Sequence, residues 1–218
     1  MTSTLDTEPV ASLIAELYER AAAVPRPGPT AASGPSNPPL TAAEQAKAAE
    51  DRYMPISPDS GRLMYSLIRA ARPHTLVEFG MSYGISTLHL AAAVRDNGVG
   101  HLYTTELSEK KIAAAQHTFA EAGLADVVTI LDGDALETLR TVDGEIGFVL
   151  FDGWKDLYLP VLELLEPRLS TGCLLIADNT ESPGAAPYLE RVRHPANGYT
   201  SVNFPGKEAD TMELSCRV

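Results

Sequence analysis

From His74 onward, short apolar runs alternate with longer amphipathic ones, and this alternation restricts the fold more than any other feature of the chain. Each short run needs a crossover connection to its successor, so the runs pair as a parallel sheet with helices on its faces. The spacing predicts strands over 75–79, 100–106, 127–131, 146–152 and 172–178, with helices over about 84–96, 108–122, 135–140 and 156–169. The last stretch changes character. Residues 199–204 and 211–218, on either side of Pro205-Gly206-Lys207, read as an antiparallel hairpin that closes the sheet edge.

Upstream, Val10, Leu13, Ile14, Leu17 and Tyr18 recur at helical spacing within residues 9–24, and a second helix is expected from a Thr41 cap to about Arg52. Residues 24–40 are rich in Pro, Gly, Ala and Ser and read as loop or linker. The segment from Tyr53 to Pro58 is extended, because a residue before proline is pushed out of the helical region, and 58–71 reads as a helix. The expected division is 1–56, N-terminal helices with a Pro-rich lid or linker, and 57–218, the main domain. The segment 24–53 is expected to fold over the cleft as that lid. Its helices need an apolar partner, which a second copy in a homodimer or the chain's own core would supply.

A chain of 218 residues is long enough for one full core, and none of its apolar runs approaches a membrane span. The first residues lack a basic region followed by an apolar one, so no secretory signal is visible. Cys173 lies inside an apolar run, where a free thiol behaves as a small hydrophobe, which fits a reducing, cytoplasmic setting. The net charge of -12 argues against nucleic acid or an anionic membrane as partner.

The chemistry gathers at the ends of two successive apolar runs. Asp152, Trp154 and Lys155 follow one run, and Asp178 and Asn179 follow the next, which in an open α/β sheet is the rim where ligands bind. Three hard oxygen donors beside one amine suggest a Mg²⁺ site with a base next to it, a combination suited to removing a proton from a hydroxyl. Taken singly, each carboxylate could cap a helix and Lys155 could be a solvated charge. Their convergence on one rim favours a site.

A second motif, Glu78-Phe79-Gly80-Met81-Ser82-Tyr83-Gly84, closes the first strand. Its glycines permit a tight turn and close approach of a ligand, and the helix that follows offers unpaired N–H groups to a carboxylate. The spacing is not the Gly-x-Gly-x-x-Gly of a dinucleotide site. Glu106 ends the second strand, where a carboxylate can accept both hydroxyls of a ribose. Adenosine with an amino-acid tail fits these residues better than a nicotinamide dinucleotide.

From about Ser57 onward the chain resembles the class I S-adenosylmethionine-dependent O-methyltransferases, and its central block resembles the catechol O-methyltransferases. The resemblance is carried by Asp-Gly-Trp-Lys-Asp-Leu-Tyr-Leu-Pro at 152–160, Leu-Ile-Ala-Asp-Asn at 175–179 and Pro183-Gly184. It implies a Rossmann-like α/β fold with a seven-stranded, mostly parallel sheet flanked by helices, an antiparallel C-terminal hairpin, and S-adenosyl-L-methionine lying across the strand ends. By position, it implies that Glu78, Gly80, Gly84 and Ser86 belong to the cofactor loop, with Ser86 near the methionine carboxylate. Glu106 would hold the ribose, Asp134 and Ala135 would flank the adenine, and Trp154 would pack on the adenine or the substrate wall. Asp152, Asp178 and Asn179 would bind Mg²⁺ or another divalent cation, Lys155 would be the general base, and Pro183 would help to wall the acceptor.

The activity so implied is methyl transfer to a hydroxyl of a small molecule: a catechol-like phenol, a vicinal hydroxy compound or a natural-product intermediate. Three departures bear on the acceptor. The glutamate by which that family holds the second hydroxyl falls at Phe204, next to Asn203, and its histidine before the tryptophan is Gly153. The neighbouring Glu181-Ser182 is also more polar. The competing readings are a methyltransferase that dispenses with metal and a non-catalytic S-adenosylmethionine-binding module.

Overall fold

The computed structural model describes residues 2–24, 41–207 and 210–218. Strands β1 (Thr75–Phe79), β2 (His101–Glu106), β3 (Val128–Asp132), β4 (Ile146–Phe151) and β5 (Leu169–Ala177) run parallel. Strands β6 (Tyr199–Pro205) and β7 (Thr211–Arg217) form an antiparallel hairpin that docks on β5 through β7. The order across this seven-stranded sheet is β3-β2-β1-β4-β5-β7-β6. The chain moves outward from β1 to β3 and then returns to β4. The connections leaving β1 and β4 therefore diverge, and a crevice opens beyond the carboxyl ends of the central strands.

Eight helices cover the sheet among the described residues: α1 (Val10–Ala23), α2 (Ala42–Ala48), α3 (Pro58–Ala71), α4 (Ile85–Asn97), α5 (Glu109–Glu121), α6 (Ala135–Thr138), α7 (Tyr158–Leu165) and α8 (Ala186–Arg193). Both faces of β1 and β4 are covered, which is why these strands read as nearly unbroken apolar runs. On one face Val10, Leu17, Met64, Ile68, Leu88 and Phe119 share a core. On the other, Leu139, Phe151, Tyr158, Leu162, Tyr188 and Val192 share a second. The apolar stripe of α1 is thus buried against the chain's own core. None of the described helices is long and apolar enough to cross a membrane.

Most predicted elements are present with ends shifted by a residue or so, and three differ for physical reasons. Helix α2 starts at its Thr41 cap with a full capping box but stops at Ala48, short of Arg52. The Tyr83 hydroxyl donates to the Glu50 carbonyl (2.8 Å) and Tyr53 stacks on Tyr83 with ring centroids 4.0 Å apart, so the chain turns there. Helix α7 gives way to a 3-10 turn at Glu166–Arg168, because Pro167 lacks the N–H that a continuing helix needs, and β5 then begins at Leu169. Helix α8 was not expected. It has eight residues and follows Pro183-Gly184 with Pro187 in its first turn, signals that read as loop.

Helices α3 and α4 pack where Gly61 leaves room for His89. A Cβ added at Gly61 would lie 2.5 Å from the imidazole Nε2, and that ring is buried with its Nδ1 2.9 Å from the Ile85 carbonyl. Gly61→Ala should therefore overpack this crossing and cost about 1–3 kcal/mol. A thermal melt checks it: the expected result is a Tm lower by several degrees, and an unchanged Tm would mean that α3 shifts without cost.

Candidate active site

The crevice takes its floor from the exits of β1 and β4. Gly80 leaves β1 with φ 98°, and a Cβ there would sit 2.6 Å from the backbone of Gly153. Gly153 in turn faces the Phe79 ring, 2.5 Å from where its own Cβ would be. The two loops touch through backbone alone, and Asp152 N–H donates to the Phe79 carbonyl (2.8 Å). A side chain at Gly153 would therefore require the Phe79 ring to shift.

Beyond this floor lies a cavity of about 270 Å³. Gly80, Glu106, Asp134, Ala135, Asp152, Trp154, Lys155 and Asn179 line it. The Glu106 carboxylate accepts from three backbone N–H groups, those of Leu107 and Ser108 (both 2.9 Å) and of Ser82 (2.8 Å). It is thereby held between the exits of β1 and β2 with lone pairs left for a ligand. Asp134 caps α6 by accepting from Leu136 N–H (2.8 Å).

Other predicted residues lie around this cavity rather than along it. Glu78 is fully buried below the floor and accepts from Ser86 Oγ (2.5 Å), Thr87 Oγ1 (2.6 Å) and Thr104 Oγ1 (2.6 Å). Burial pushes its pKa up, and the three hydroxyls oppose that rise. Ser86 is thus tied to Glu78 and borders a smaller pocket shared with Tyr53, Ile56 and Asp152. Gly84 precedes α4 with φ 83° and packs on Phe119. Pro183 starts a 3-10 turn, Pro183–Ala185, whose Gly184 lies against the backbone of Asp156. Asn203 and Phe204 are not among the residues lining the cavity, and Asn203 Nδ2 bonds Glu213 Oε2 (3.0 Å) instead.

At the rim the ends of β4 and β5 bring Asp152 and Asp178 side by side. Asp178 N–H donates to the Phe151 carbonyl (3.0 Å), and the Asp178 carbonyl accepts from the Tyr158 hydroxyl (3.0 Å). Lys155 Nζ lies 3.5 Å from Asp152 Oδ1, and both side chains are largely buried. Burial pushes the Asp152 carboxyl up to about 8, with Lys155 pulling it down and Asp178 pushing it further up. Burial raises Asp178 as well. Two carboxylates withdrawn from water against one ammonium leave a deficit of positive charge. With the amide of Asn179 they form a set of hard oxygen donors that fits a divalent cation. No group of three His, Cys, Asp or Glu side chains placed for a metal occurs among the described residues.

Several cavity residues had no signal in the sequence. Ala42, Ala46 and Ala49 present small side chains to the cavity from α2 and the turn after it, and beside them lies Met54, which the sequence already offered as a residue of the acceptor pocket or of the core. Residues 25–40 of the expected lid lie outside the described residues. Lys111, on the first turn of α5, reads in sequence as a solvated helical charge, yet it is 2% exposed and lines the cavity. Its Nζ lies 5.6 Å from the Tyr83 ring centroid, without a carboxylate in salt-bridge range among the described residues. Burial lowers its pKa, and the charge of Glu106 opposes that. The Ser82 hydroxyl, also on the cavity wall, is buried without a hydrogen-bond partner among the described residues.

Residues 77–180 match the family model described as "Methyltransferase domain". Catechol O-methyltransferase of Sus scrofa is 32% identical over 151 residues, which is 66% of this chain and 80% of that protein. The chain belongs to the class I S-adenosylmethionine-dependent O-methyltransferases. Catechol O-methyltransferase B of Danio rerio is 30% identical over 158 residues, 69% of this methyltransferase and 59% of the fish protein. The crystal structure of cofactor-bound Rv0187 from MTB is similar at a TM-score of 0.68 and 26% identity, covering 81% of this chain and 89% of that one.

Among the described residues, the Lys111 ammonium and the Ser82 hydroxyl both lack a protein acceptor and line the cavity of this methyltransferase. Lys111→Met removes the buried charge and keeps the apolar stem. The expected result is a higher Tm without ligand and about tenfold or greater loss of S-adenosylhomocysteine affinity by calorimetry. Unchanged affinity would place Lys111 outside ligand contact.

Proposed function

We propose that this methyltransferase is metal-dependent and moves a methyl from S-adenosylmethionine to a hydroxyl of a small molecule that offers two oxygens to the metal. The observation that carries this reading is that Asp152, largely withdrawn from water and paired with Lys155, lines the cavity with Asn179, while the buried Asp178 lies just behind that lining at the end of the neighbouring strand. In this reading Glu106 accepts from the ribose hydroxyls, Gly80 lets the cofactor approach the backbone, and Asp134 and Ala135 flank the adenine. Trp154 supplies an apolar wall between cofactor and acceptor, and Pro183 backs that wall through its packing on the loop that carries Lys155.

Asp152, Asp178 and Asn179 would hold Mg²⁺ or a similar divalent ion. When bound, such an ion lowers the pKa of an acceptor hydroxyl and disfavours a nearby ammonium. Lys155 then takes the hydroxyl proton at Nζ while the oxygen forms its bond to the methyl carbon and the carbon–sulfur bond breaks, leaving an ether and S-adenosylhomocysteine. The sulfonium is its own good leaving group, so the remaining task of the protein is alignment and exclusion of water. Walls from α2 and Met54 serve the second purpose. The acceptor in this reading is a catechol-like phenol, a vicinal hydroxy compound or a natural-product intermediate, and with Asn203 and Phe204 outside the cavity lining its second oxygen would be held by the metal.

The test is mass-spectrometric detection of methyl transfer to a panel of catechols and vicinal hydroxy acids, with Mg²⁺ and with EDTA. Product that vanishes with the chelator is expected, and product unaffected by it would overturn the metal reading. Lys155→Met should lower kcat by about 10²–10⁴ while S-adenosylhomocysteine still binds. A kcat near that of the parent would remove Lys155 from the proton transfer.

A further inference from the structure

We propose that Asp210 is a positioning residue that decides which end of the Asn179 amide faces the cleft. The inference rests on the metal reading above. Asn179 Nδ2 donates to Asp210 Oδ2 (2.9 Å). A carboxylate is an acceptor only, so the NH₂ end of the amide turns to Asp210 and Oδ1 is left for the cavity that Asn179 lines. The two ends of a primary amide are nearly equal in shape. Only the oxygen end is a ligand for a hard cation, and the other end would present donors to it. A fixed acceptor behind the amide therefore converts an ambiguous side chain into an oxygen donor, as outer partners do for the ligands of metal sites in general.

Asp210 is itself held. Its Oδ1 accepts from Thr211 N–H (2.8 Å) and Glu181 N–H (3.3 Å), so one carboxylate joins the exit of β5 to the entry of β7. Its backbone closes the hairpin turn, with Asp210 N–H donating to the Lys207 carbonyl and Gly206 N–H donating to the Asp210 carbonyl, both at 3.0 Å. Asn179 has φ 55°, a left-handed conformation that asparagine tolerates better than most residues, and its carbonyl accepts from Ser182 N–H (3.1 Å). Backbone and amide of this ligand are thus set separately, the amide by a residue from a different part of the chain. In the sequence Asp210 reads only as a turn residue between two strands.

The experiment measures Mn²⁺ binding to the full chain by loss of the free-ion EPR signal, with S-adenosylhomocysteine affinity measured by calorimetry on the same samples. Asp210→Ala should weaken Mn²⁺ binding about 10–100-fold, with Asp210→Asn in between because it keeps one acceptor oxygen, and cofactor affinity should not move. The decisive background is Asn179→Asp, in which both ends of the ligand are oxygens and orientation no longer matters. There Asp210→Ala should leave Mn²⁺ binding unchanged or tighten it by removing a like charge. Equal Mn²⁺ binding by the parent and Asp210→Ala overturns the proposal, as does a parallel loss of Mn²⁺ and S-adenosylhomocysteine or the same loss in the Asn179→Asp background. A parent protein that binds S-adenosylhomocysteine but no Mn²⁺ overturns the metal reading and this inference with it.

Discussion

Two carboxylates are carried out of water on the ends of strands buried on both faces, and the rest of the site is arranged around that electrostatic cost. Asp152 and Asp178 follow Phe151 and Ala177, which are themselves buried, so both acids start from backbone that is fixed in the sheet. Their backbone N–H groups bond across to Phe79 and Phe151, and these contacts fix them to the strand register rather than to a loop. Isolated, such a pair would be expensive to ionise. Lys155 offsets part of the cost, and a cation bound to the same oxygens would offset more. The proposed cation site would thus answer the same electrostatic cost.

The fold was legible because its signals are local and redundant. Each strand of the parallel sheet is a short apolar run bounded by breakers, and the helix caps at Thr41, Ser57 and Ser108 are spelled in the residues that make them. Where the reading ran on too long or missed an element, the cause was non-local. The end of α2 depends on Tyr83, thirty-three positions from the carbonyl that it takes. The start of β5 depends on Pro167 and on pairing with β4. For α8, turn-forming residues at its start outweighed a short amphipathic stripe.

The site divides in the same way. The rim residues could be found because Asp152, Lys155, Asp178 and Asn179 sit next to strand ends that the sequence announces. Residues whose role comes from burial could not. Lys111 carries no sign in its own helix that α2 and the Tyr83 loop will cover it, and Asp210 carries none that it will face Asn179. The opposite also occurs: Ser86 and Glu78 belong to the cofactor motif by position, but the structure spends their polar atoms mostly on each other and on two threonines. A motif identifies a neighbourhood, and hydrogen-bond accounting then says which members have capacity left.

The hairpin and the segment before α3 are joined by Lys207 Nζ donating to the Pro55 carbonyl (2.7 Å) across 152 positions of sequence. Closing so long a loop carries an entropic cost that the rest of the fold must offset. β7 also inserts between β5 and β6, so the sheet is completed only when the hairpin docks. The residues that line the cavity come from the exits of β1 to β5, the first turns of the helices that follow, α2 and the segment before α3, whereas the acceptor behind Asn179 comes from the hairpin turn. One turn thus touches both the segment before α3 and the amide at the end of β5, so a change in how the hairpin docks would be felt at the rim and at the N-terminal side of the cavity together.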